Sequence, residues 1–183
     1  MILPIFSYGH RVLKQKATTI AADYPELQTL IGNMYETMYN AHGVGLAAPQ
    51  IGLAIRLFVV DAEPMDEETL VGFKKVFINA EIVAEEGEEW AYEEGCLSIP
   101  GIREDVRRAT RIQVRYYDEK FEERLEWFEG LGARVIQHEY DHIEGILFTD
   151  HLSLLRKRML KNKLTAISKG ECDANYRMRF FLK

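Results

Sequence analysis

Apolar residues recur every three to four positions in three segments of the chain, and this spacing predicts three helices. The first helix begins at Pro25, with Asp23 as its cap and Gly43 as its stop. Its apolar stripe consists of Leu27, Leu30, Ile31, Met34 and Met38. The second helix carries a ladder at i, i+4, i+7 and i+11, formed by Leu131, Val135, His138 and His142. The third covers residues 152–168, with its apolar positions at Leu155, Met159 and Leu164.

Alternating and β-branched runs predict strands between these helices. Four segments fit this pattern, the last two joined as a hairpin by a short polar turn: residues 56–61, 75–84, 110–118 and 121–128. Residues 62–73 are typical of a surface loop, and the acidic run 85–89 is typical of a solvated turn. Pro100 is expected to end any regular structure after Cys96, and residues 179–182 are compatible with one last strand.

No repeat or low-complexity linker divides the chain, so we expect one domain over residues 1–183, with a C-terminal helix and tail from about residue 152. The net charge of −6 gives no reason to expect binding to DNA, and no apolar run approaches the ~18 residues that cross a membrane. The N-terminal segment lacks the pattern of a signal peptide. Two cysteines do not form a disulfide framework, which favours a reducing cytoplasmic location.

His138 and His142 are four residues apart, so on a helix they project from one face and can bind one metal ion. Glu139 follows the first histidine, and its carboxylate can reach a water held by that metal. This is the H-E-x-x-H arrangement of metal-dependent hydrolases. The alternative is an ordinary helix with two unconnected histidines.

Cys96 offers a third ligand. A lone cysteine is more often a small buried hydrophobic residue, but a two-histidine helix that lacks a ligand favours a metal-bound thiolate. The other candidates occur in no recognisable ligand spacing: Cys172, His151, His42 and His10. Three ligands leave a position for water, so we expect an open, catalytic site rather than a closed structural one.

A metal in such a site lowers the pKa of its bound water and polarises a carbonyl oxygen. Glu139 is placed to take the proton of that water and to deliver it to a leaving nitrogen. The side-chain amide of Gln50 and the backbone N–H of Leu97 are candidates to hold the oxyanion. The small residues of segment 43–52 leave backbone amides open to a ligand; alternatively, this segment is only a helix stop followed by a tight loop.

Three segments together resemble the bacterial peptide deformylases. The family motifs G-x-G-x-A-A-x-Q, E-G-C-L-S and Q-H-E-x-D-H match GVGLAAPQ at residues 43–50, EGCLS at 94–98 and QHEYDH at 137–142. The resemblance extends to about residue 152, and the tail matches least. It implies an α+β fold in which mostly antiparallel sheets wrap around the metal-binding helix, with the first helix packed outside.

The resemblance also implies a function. Such an enzyme removes the formyl group from the N-terminal formyl-methionine of newly made polypeptides and releases formate. Cys96, His138 and His142 would hold Fe²⁺, with Ni²⁺, Co²⁺ or Zn²⁺ as substitutes, and metal-bound water would attack the formyl carbonyl. Glu139 would be the general acid/base, and Gln50 with the Leu97 amide would hold the oxyanion. The residues expected at the substrate pocket are Val44, Gly45, Glu94, Gly95, Arg103, Leu131 and Val135, with Glu94 and Arg103 as a possible pair.

Arg134 and the third helix suggest further contacts. Arg134 would either pack its stem and keep its head in water, or contact the peptide beyond the methionine. The basic side chains of the third helix are either a solvated face or a ribosome-docking surface, as in some deformylases. They are Arg156, Lys157, Arg158, Lys161 and Lys163.

Two other functions fit parts of the pattern. A metallopeptidase of the H-E-x-x-H type usually takes its third ligand downstream of the helix, whereas Cys96 lies upstream. A catalytically silent binding protein with a structural metal would be expected to lose Glu139, Gln50 or a ligand, and this chain keeps them all.

Overall fold

The computed structural model describes residues 1–182. Three helices and seven strands are present in this range, and their bounds are β1 Ile5–Phe6, α1 Leu27–Asn40, β2 Gly45–Ala47, β3 Leu57–Asp61, β4 Lys74–Cys96, β5 Ile99–Tyr117, β6 Glu123–Glu129, α2 Gly130–Glu144, α3 Leu154–Ser168 and β7 Met178–Arg179. Strands β2 to β6 form one antiparallel sheet in sequence order, and β1 pairs with β7 in a small parallel sheet. The predicted α+β class is confirmed.

Helix α2 lies against the large sheet and shares its core. Phe58 and Phe77 of the sheet belong to the same buried cluster as Ala133, Val135 and Ile136 of the helix. Of the ladder predicted for this helix, Val135 belongs to this cluster, whereas Leu131 is half-buried and His138 and His142 lie outside the cluster. Gly145 ends the helix in the left-handed conformation, with φ 76°, which glycine adopts without steric cost.

Helix α1 packs its predicted stripe inward but begins later than expected. It starts at Leu27, and its N-cap is Glu26 in the left-handed conformation, without a side-chain cap bond. Asp23 is exposed and is not the cap, so that prediction is wrong. The helix ends at Asn40, and the N–H of Gly43 bonds back to the carbonyl of Met38 at 2.9 Å.

The acidic run 85–89 is not a turn, because β4 continues through it to Cys96. The pairing with β5 shifts between Glu86 and Glu89, where Gly87 has φ 79°. A bulge of this kind absorbs extra residues without ending a strand. The run is exposed, as predicted, but it forms part of a long hairpin of β4 and β5.

Pro100 also lies inside regular structure, contrary to the prediction that it would end it. It is the second residue of β5, next to the tight turn that pairs Cys96 with Ile99. Strand β6 joins β5 only from Arg111 onward, so β5 is an edge strand at Pro100. A proline that lacks an N–H is tolerated at such a position.

The third helix begins at Leu154, where the Ser153 hydroxyl accepts a bond from the Arg156 N–H. Leu155 and Met159 are exposed, and Leu160, Leu164 and Ile167 form the buried face instead. The last strand is β7 rather than residues 179–182. No helix within residues 1–182 combines the length and apolar character that a membrane crossing requires.

Candidate metal centre

Cys96, His138 and His142 converge in the structure, and the two histidines share one helix face as their spacing predicts. Their potential ligand atoms all lie within 4.8 Å of one another. The histidines project from one face of α2, and Cys96 is the last residue of β4, at the turn into β5. The Sγ atom of Cys96 lies 3.4 Å from Nε2 of His142. One thiolate and two imidazoles form a donor set that suits Fe²⁺ or Zn²⁺ and not Mg²⁺.

Glu94 fixes the orientation of the first histidine. Its Oε2 lies 2.9 Å from Nδ1 of His138, which leaves the Nε2 atom of that ring for a metal. Arg108 donates two bonds to the carboxylate of Glu94, from Nε at 2.7 Å and from Nη2 at 2.9 Å. Burial acts to raise the pKa of Glu94, but the bonds from Arg108 and His138 outweigh it and hold that pKa well below its usual range. The side chain of Glu94 is therefore ionised although it is buried.

The expected pair of Glu94 and Arg103 does not form. Nε of Arg103 instead donates to Glu93 at 2.8 Å, and both side chains are largely exposed. The physical reason is the alternation of a strand: neighbouring residues point to opposite faces, so Glu93 faces the solvent while Glu94 faces the helix. Arg103 still lies close to Gly95, where an added Cβ would come within 3.1 Å of its Nη1.

Arg134 does not take the first of its two predicted roles. Only 2% of the residue is exposed, so its head is not in water. Nη1 donates to Glu94 at 3.0 Å and to the Val106 carbonyl at 2.9 Å, and Nη2 donates to the Trp90 carbonyl at 2.6 Å. The guanidinium also stacks over the Trp90 ring at 4.6 Å. Arg134 thus supports Glu94. It also lines the cavity that opens onto the centre, so contact with the peptide stays a prediction.

Glu139 lies next to the three ligands and is almost fully buried, with 4% exposure. Burial raises the pKa of its carboxyl to about 7, which suits a group that takes and returns a proton near neutral pH. Among the described residues its Oε2 atom has no hydrogen-bond partner. A buried carboxylate oxygen without a protein partner fits a site that receives a water molecule.

Gly45 provides the space that Glu139 occupies. A Cβ built on Gly45 would come within 2.8 Å of the Cγ and Cδ atoms of Glu139. The glycine was expected to allow close approach of a ligand. In the structure, the group that approaches its backbone is the Glu139 side chain.

Gln50 is buried next to Cys96. Its Oε1 accepts the Ala47 N–H at 2.9 Å, which directs Nε2 towards Cys96 Sγ at 3.5 Å and Ser98 Oγ at 3.3 Å. The amide donor therefore faces the metal centre. The carbonyl of Leu97 accepts a bond from the Tyr176 hydroxyl at 2.8 Å.

The two histidines have opposite electrostatic environments. Burial lowers the pKa of His142 well below its usual range, which keeps the ring neutral, as a metal ligand must be. Burial also acts to lower the pKa of His138, but bonds to Cys96 and Glu94 raise it well above its usual range. Binding of a metal at His138 must therefore release a proton.

A cavity of about 640 Å³ opens onto the centre. Of the residues predicted for the substrate pocket, six line it: Val44, Gly45, Glu94, Gly95, Arg103 and Val135. Leu131 is not among the described lining residues. The sequence reasoning missed the C-terminal residues 173–176, which form one wall. Only the path of the tail after α3 brings them there, and no local pattern in the sequence indicates that path.

The chain is similar to known proteins over nearly its whole length. Residues 2–158 match the family model described as polypeptide deformylase. Curated relatives named peptide deformylase include one from Christiangramia forsetii, 58% identical, and one from Cytophaga hutchinsonii, 55% identical. The first alignment covers 98% of this chain and 96% of the relative, and the second covers 100% of both.

Solved structures give the same result. A crystal structure of a peptide deformylase from Legionella pneumophila has a TM-score of 0.82 and 40% identity, covering 93% of this chain and 98% of that one. The crystal structure of the peptide deformylase from Thermotoga maritima has a TM-score of 0.76 and 38% identity, covering 84% and 99%. On the match of its sequence, its fold and its three motifs, this chain belongs to the polypeptide deformylase family.

Proposed function

We propose that Cys96, His138 and His142 hold Fe²⁺ and that Glu139 moves the proton in the family reaction. The chain is a peptide deformylase, an enzyme of a metal-dependent hydrolase family that removes the N-formyl group from nascent polypeptides. The observation that carries the residue assignment is the convergence of three ligand atoms within 4.8 Å beside a buried carboxyl. Ni²⁺, Co²⁺ and Zn²⁺ are the substitutes that this donor set accepts.

When bound, the metal supplies a Lewis acid that polarises the formyl carbonyl and lowers the pKa of a coordinated water to about 7. Glu139 takes a proton from the attacking water, whose oxygen forms a bond to the formyl carbon. The C–N bond then breaks, and Glu139 returns the proton to the departing amine nitrogen, so that formate and a free N-terminus result. The near-neutral pKa of Glu139 supports both transfers.

Gln50 and Leu97 are proposed to hold the oxyanion that develops on the formyl oxygen. The Nε2 donor of Gln50 is directed by its bond from Ala47, so it needs no reorientation when charge develops. Leu97 would contribute its backbone N–H. Both groups lie next to Cys96, where the formyl group must be held.

The methionine side chain is proposed to enter the cavity beside Val44 and Val135. Gly45 and Gly95 line the cavity without side chains. Glu94 also lines it and fixes the orientation of His138. We infer a cytoplasmic location from the substrate, because nascent polypeptides are made there.

The experiment that tests this function measures formate release from formyl-Met-Ala-Ser by anaerobically purified protein loaded with Fe²⁺ or Ni²⁺. Acetyl-Met-Ala-Ser and unformylated peptides serve as controls. Formate from the first substrate only supports deformylation. Internal cleavage of unformylated peptides without formate release would instead favour a metallopeptidase.

Ribosome contact is proposed for the exposed side of α3. Arg156 pairs with Glu104, and the Lys157 ammonium bonds to the Asp150 carbonyl, so both charges are partly engaged within the chain. On α3 itself, the exposed cations that no ion pair within residues 1–182 includes are Arg158, Lys161 and Lys163. An anionic partner such as ribosomal RNA would bind this group.

Co-sedimentation with ribosomes at several salt concentrations tests this contact. Reversal of the three charges to glutamate is expected to abolish sedimentation, whereas reversal of exposed Lys120, far along the chain from α3, serves as the control. Sedimentation that survives the triple reversal would rule the surface out.

A further inference from the structure

The tail that follows α3 forms one wall of the cavity that leads to the metal centre. Residues 173–176 line this cavity together with residues of the β4–β5 hairpin and α2. They lie beyond residue 158, where the match to the family model ends. The side chains of this wall can therefore affect which peptide the site accepts beyond the methionine.

The wall is held at its C-terminal end by two hydrogen bonds. The hydroxyl of Tyr176 donates to the Leu97 carbonyl at 2.8 Å, and the N–H of Ile5 donates to the Arg177 carbonyl at 2.9 Å. Immediately afterwards β7 pairs with β1. These bonds fix the backbone three residues after Asp173, which lines the cavity.

Asp173 gives the rim a negative charge that no cation within residues 1–182 pairs with. It is exposed and lines the cavity. Across the same cavity, the charge of Glu93 is offset by Arg103, whose Nε lies 2.8 Å away. No ion pair within residues 1–182 includes Asp173, and the other acids at the cavity, Glu94 and Glu139, are buried at its inner end.

We propose that Asp173 makes this enzyme prefer formylated peptides with a lysine or arginine one or two residues after the methionine. The proposal rests on the proposed function, because it assumes that the formyl group lies at Cys96. The residues of the substrate peptide that follow the methionine must then pass the rim to reach solvent. A cationic side chain there gains Coulomb attraction from Asp173, and an anionic one is repelled.

The expected size of the effect is modest, because both charges are in contact with water. Exposed ion pairs correspond to a change of about two- to fivefold in kcat/KM. Salt at ~1 M shortens the screening length to ~3 Å, so the preference should disappear there. A preference that depended on side-chain shape alone would survive the salt.

The test uses the full chain loaded with Ni²⁺ and three substrates that differ in one side chain: formyl-Met-Ala-Lys, formyl-Met-Ala-Gln and formyl-Met-Ala-Glu. The parent is expected to show kcat/KM in that order at low salt. Asp173→Asn should bring the lysine and glutamate substrates to equal kcat/KM, and Asp173→Lys should reverse their order. The control is Glu171→Gln, which removes an exposed acid of the same tail that does not line the cavity and should keep the parent order.

Each contrary outcome has a separate meaning. Equal kcat/KM for all three substrates in the parent, or a parent-like order in Asp173→Asn, would overturn the proposal while deformylation itself stands. Release of formate from none of the substrates would overturn the proposed function, and this proposal with it.

Discussion

Gly45 and Glu139 share one space: the carboxylate of Glu139 lies where a side chain on residue 45 would have to be. A Cβ at this position would come within 2.8 Å of Glu139 Cγ and Cδ. The first motif of the sequence and the metal-binding helix are thus coupled by direct contact. Because Gly45 has no side chain, the carboxylate of Glu139, the proposed proton carrier, can lie next to its backbone.

Replacement of Gly45 by alanine should therefore displace the Glu139 carboxyl while leaving the three ligands in place. Displacement of a catalytic group by about 1 Å costs on the order of a hundredfold in rate. We expect kcat to fall by about that factor with unchanged metal content. The control is Gly32→Ala, because Gly32 is a helical glycine with nothing within 4 Å of an added Cβ. An active Gly45→Ala enzyme would show that the position of Glu139 is not critical.

Glu94 should make the stability of the protein depend on acid pH. Its pKa in the folded state is held below the unfolded value by Arg108 and His138, against the opposing effect of burial. The stabilisation is therefore present above the unfolded pKa, ~4.3, and is lost as the pH falls towards the folded value, with a slope of up to ~1.4 kcal/mol per pH unit. Urea unfolding of metal-stripped protein between pH 7 and pH 3 measures this.

The matching variant is Glu94→Gln, which should lower the free energy of unfolding at pH 7 by about 3 kcal/mol, because it leaves Arg108 without its buried counterion. The free energy of unfolding of this variant should also fall less steeply than that of the parent between pH 7 and pH 3. Glu93→Gln removes an exposed carboxylate one residue away and should match the parent in both respects. Parallel pH curves for the parent and Glu94→Gln would contradict the assignment.

Arg134 should act on stability and not on substrate choice. Its guanidinium bonds to Glu94, Val106 and Trp90 inside the protein. Arg134→Met, which keeps the apolar stem, is expected to destabilise the fold by about 3 kcal/mol. KM values for formyl-methionine peptides with varied second and third residues should keep their ratios. A change of KM with peptide sequence would instead restore the peptide-contact interpretation.

The sequence predicted the site best where local spacing alone determines geometry. His138, Glu139 and His142 lie on one helix, so the 3.6-residue period places them without knowledge of the rest of the fold. The predicted partner of Glu94 was wrong, because the true partner is set by the register between β4 and β5 and by the face of the sheet on which each residue lies. Arg108, not Arg103, reaches Glu94, although Arg103 is closer in sequence. Residues 173–176 were missed since their position depends on the path of the entire tail.

The same distinction holds for the fold. The core-facing stripe of α1 was predicted from periodicity, whereas only Val135 of the ladder predicted for α2 joins the core with the sheet. The length of β4 was not predicted. A bulge at Gly87 carries that strand through an acidic run whose composition favours a turn. The reason is tertiary, because pairing with β5 supplies hydrogen bonds to a segment that would not form a strand alone.

The metal centre should be sensitive to oxygen when it holds Fe²⁺. A thiolate ligand and a ferrous ion can both be oxidised. When Ni²⁺ replaces Fe²⁺, only the thiolate remains open to oxidation. We expect the Fe²⁺ form to lose activity in air much faster than the Ni²⁺ form. Residual formate release after timed exposure measures this, with anaerobic samples as controls. Equal half-lives in air would contradict it.

The most direct test of the central claim is formate release from formyl-Met-Ala-Ser by Ni²⁺-loaded parent and Glu139→Gln, with metal content measured in both. The account predicts activity in the parent and a loss of at least about a hundredfold in the variant at equal metal content, since a positioned acid/base supplies about that factor. The matched control is Glu129→Gln, an exposed carboxylate next to the same helix. Full activity in Glu139→Gln would contradict the role of Glu139 as the proton carrier.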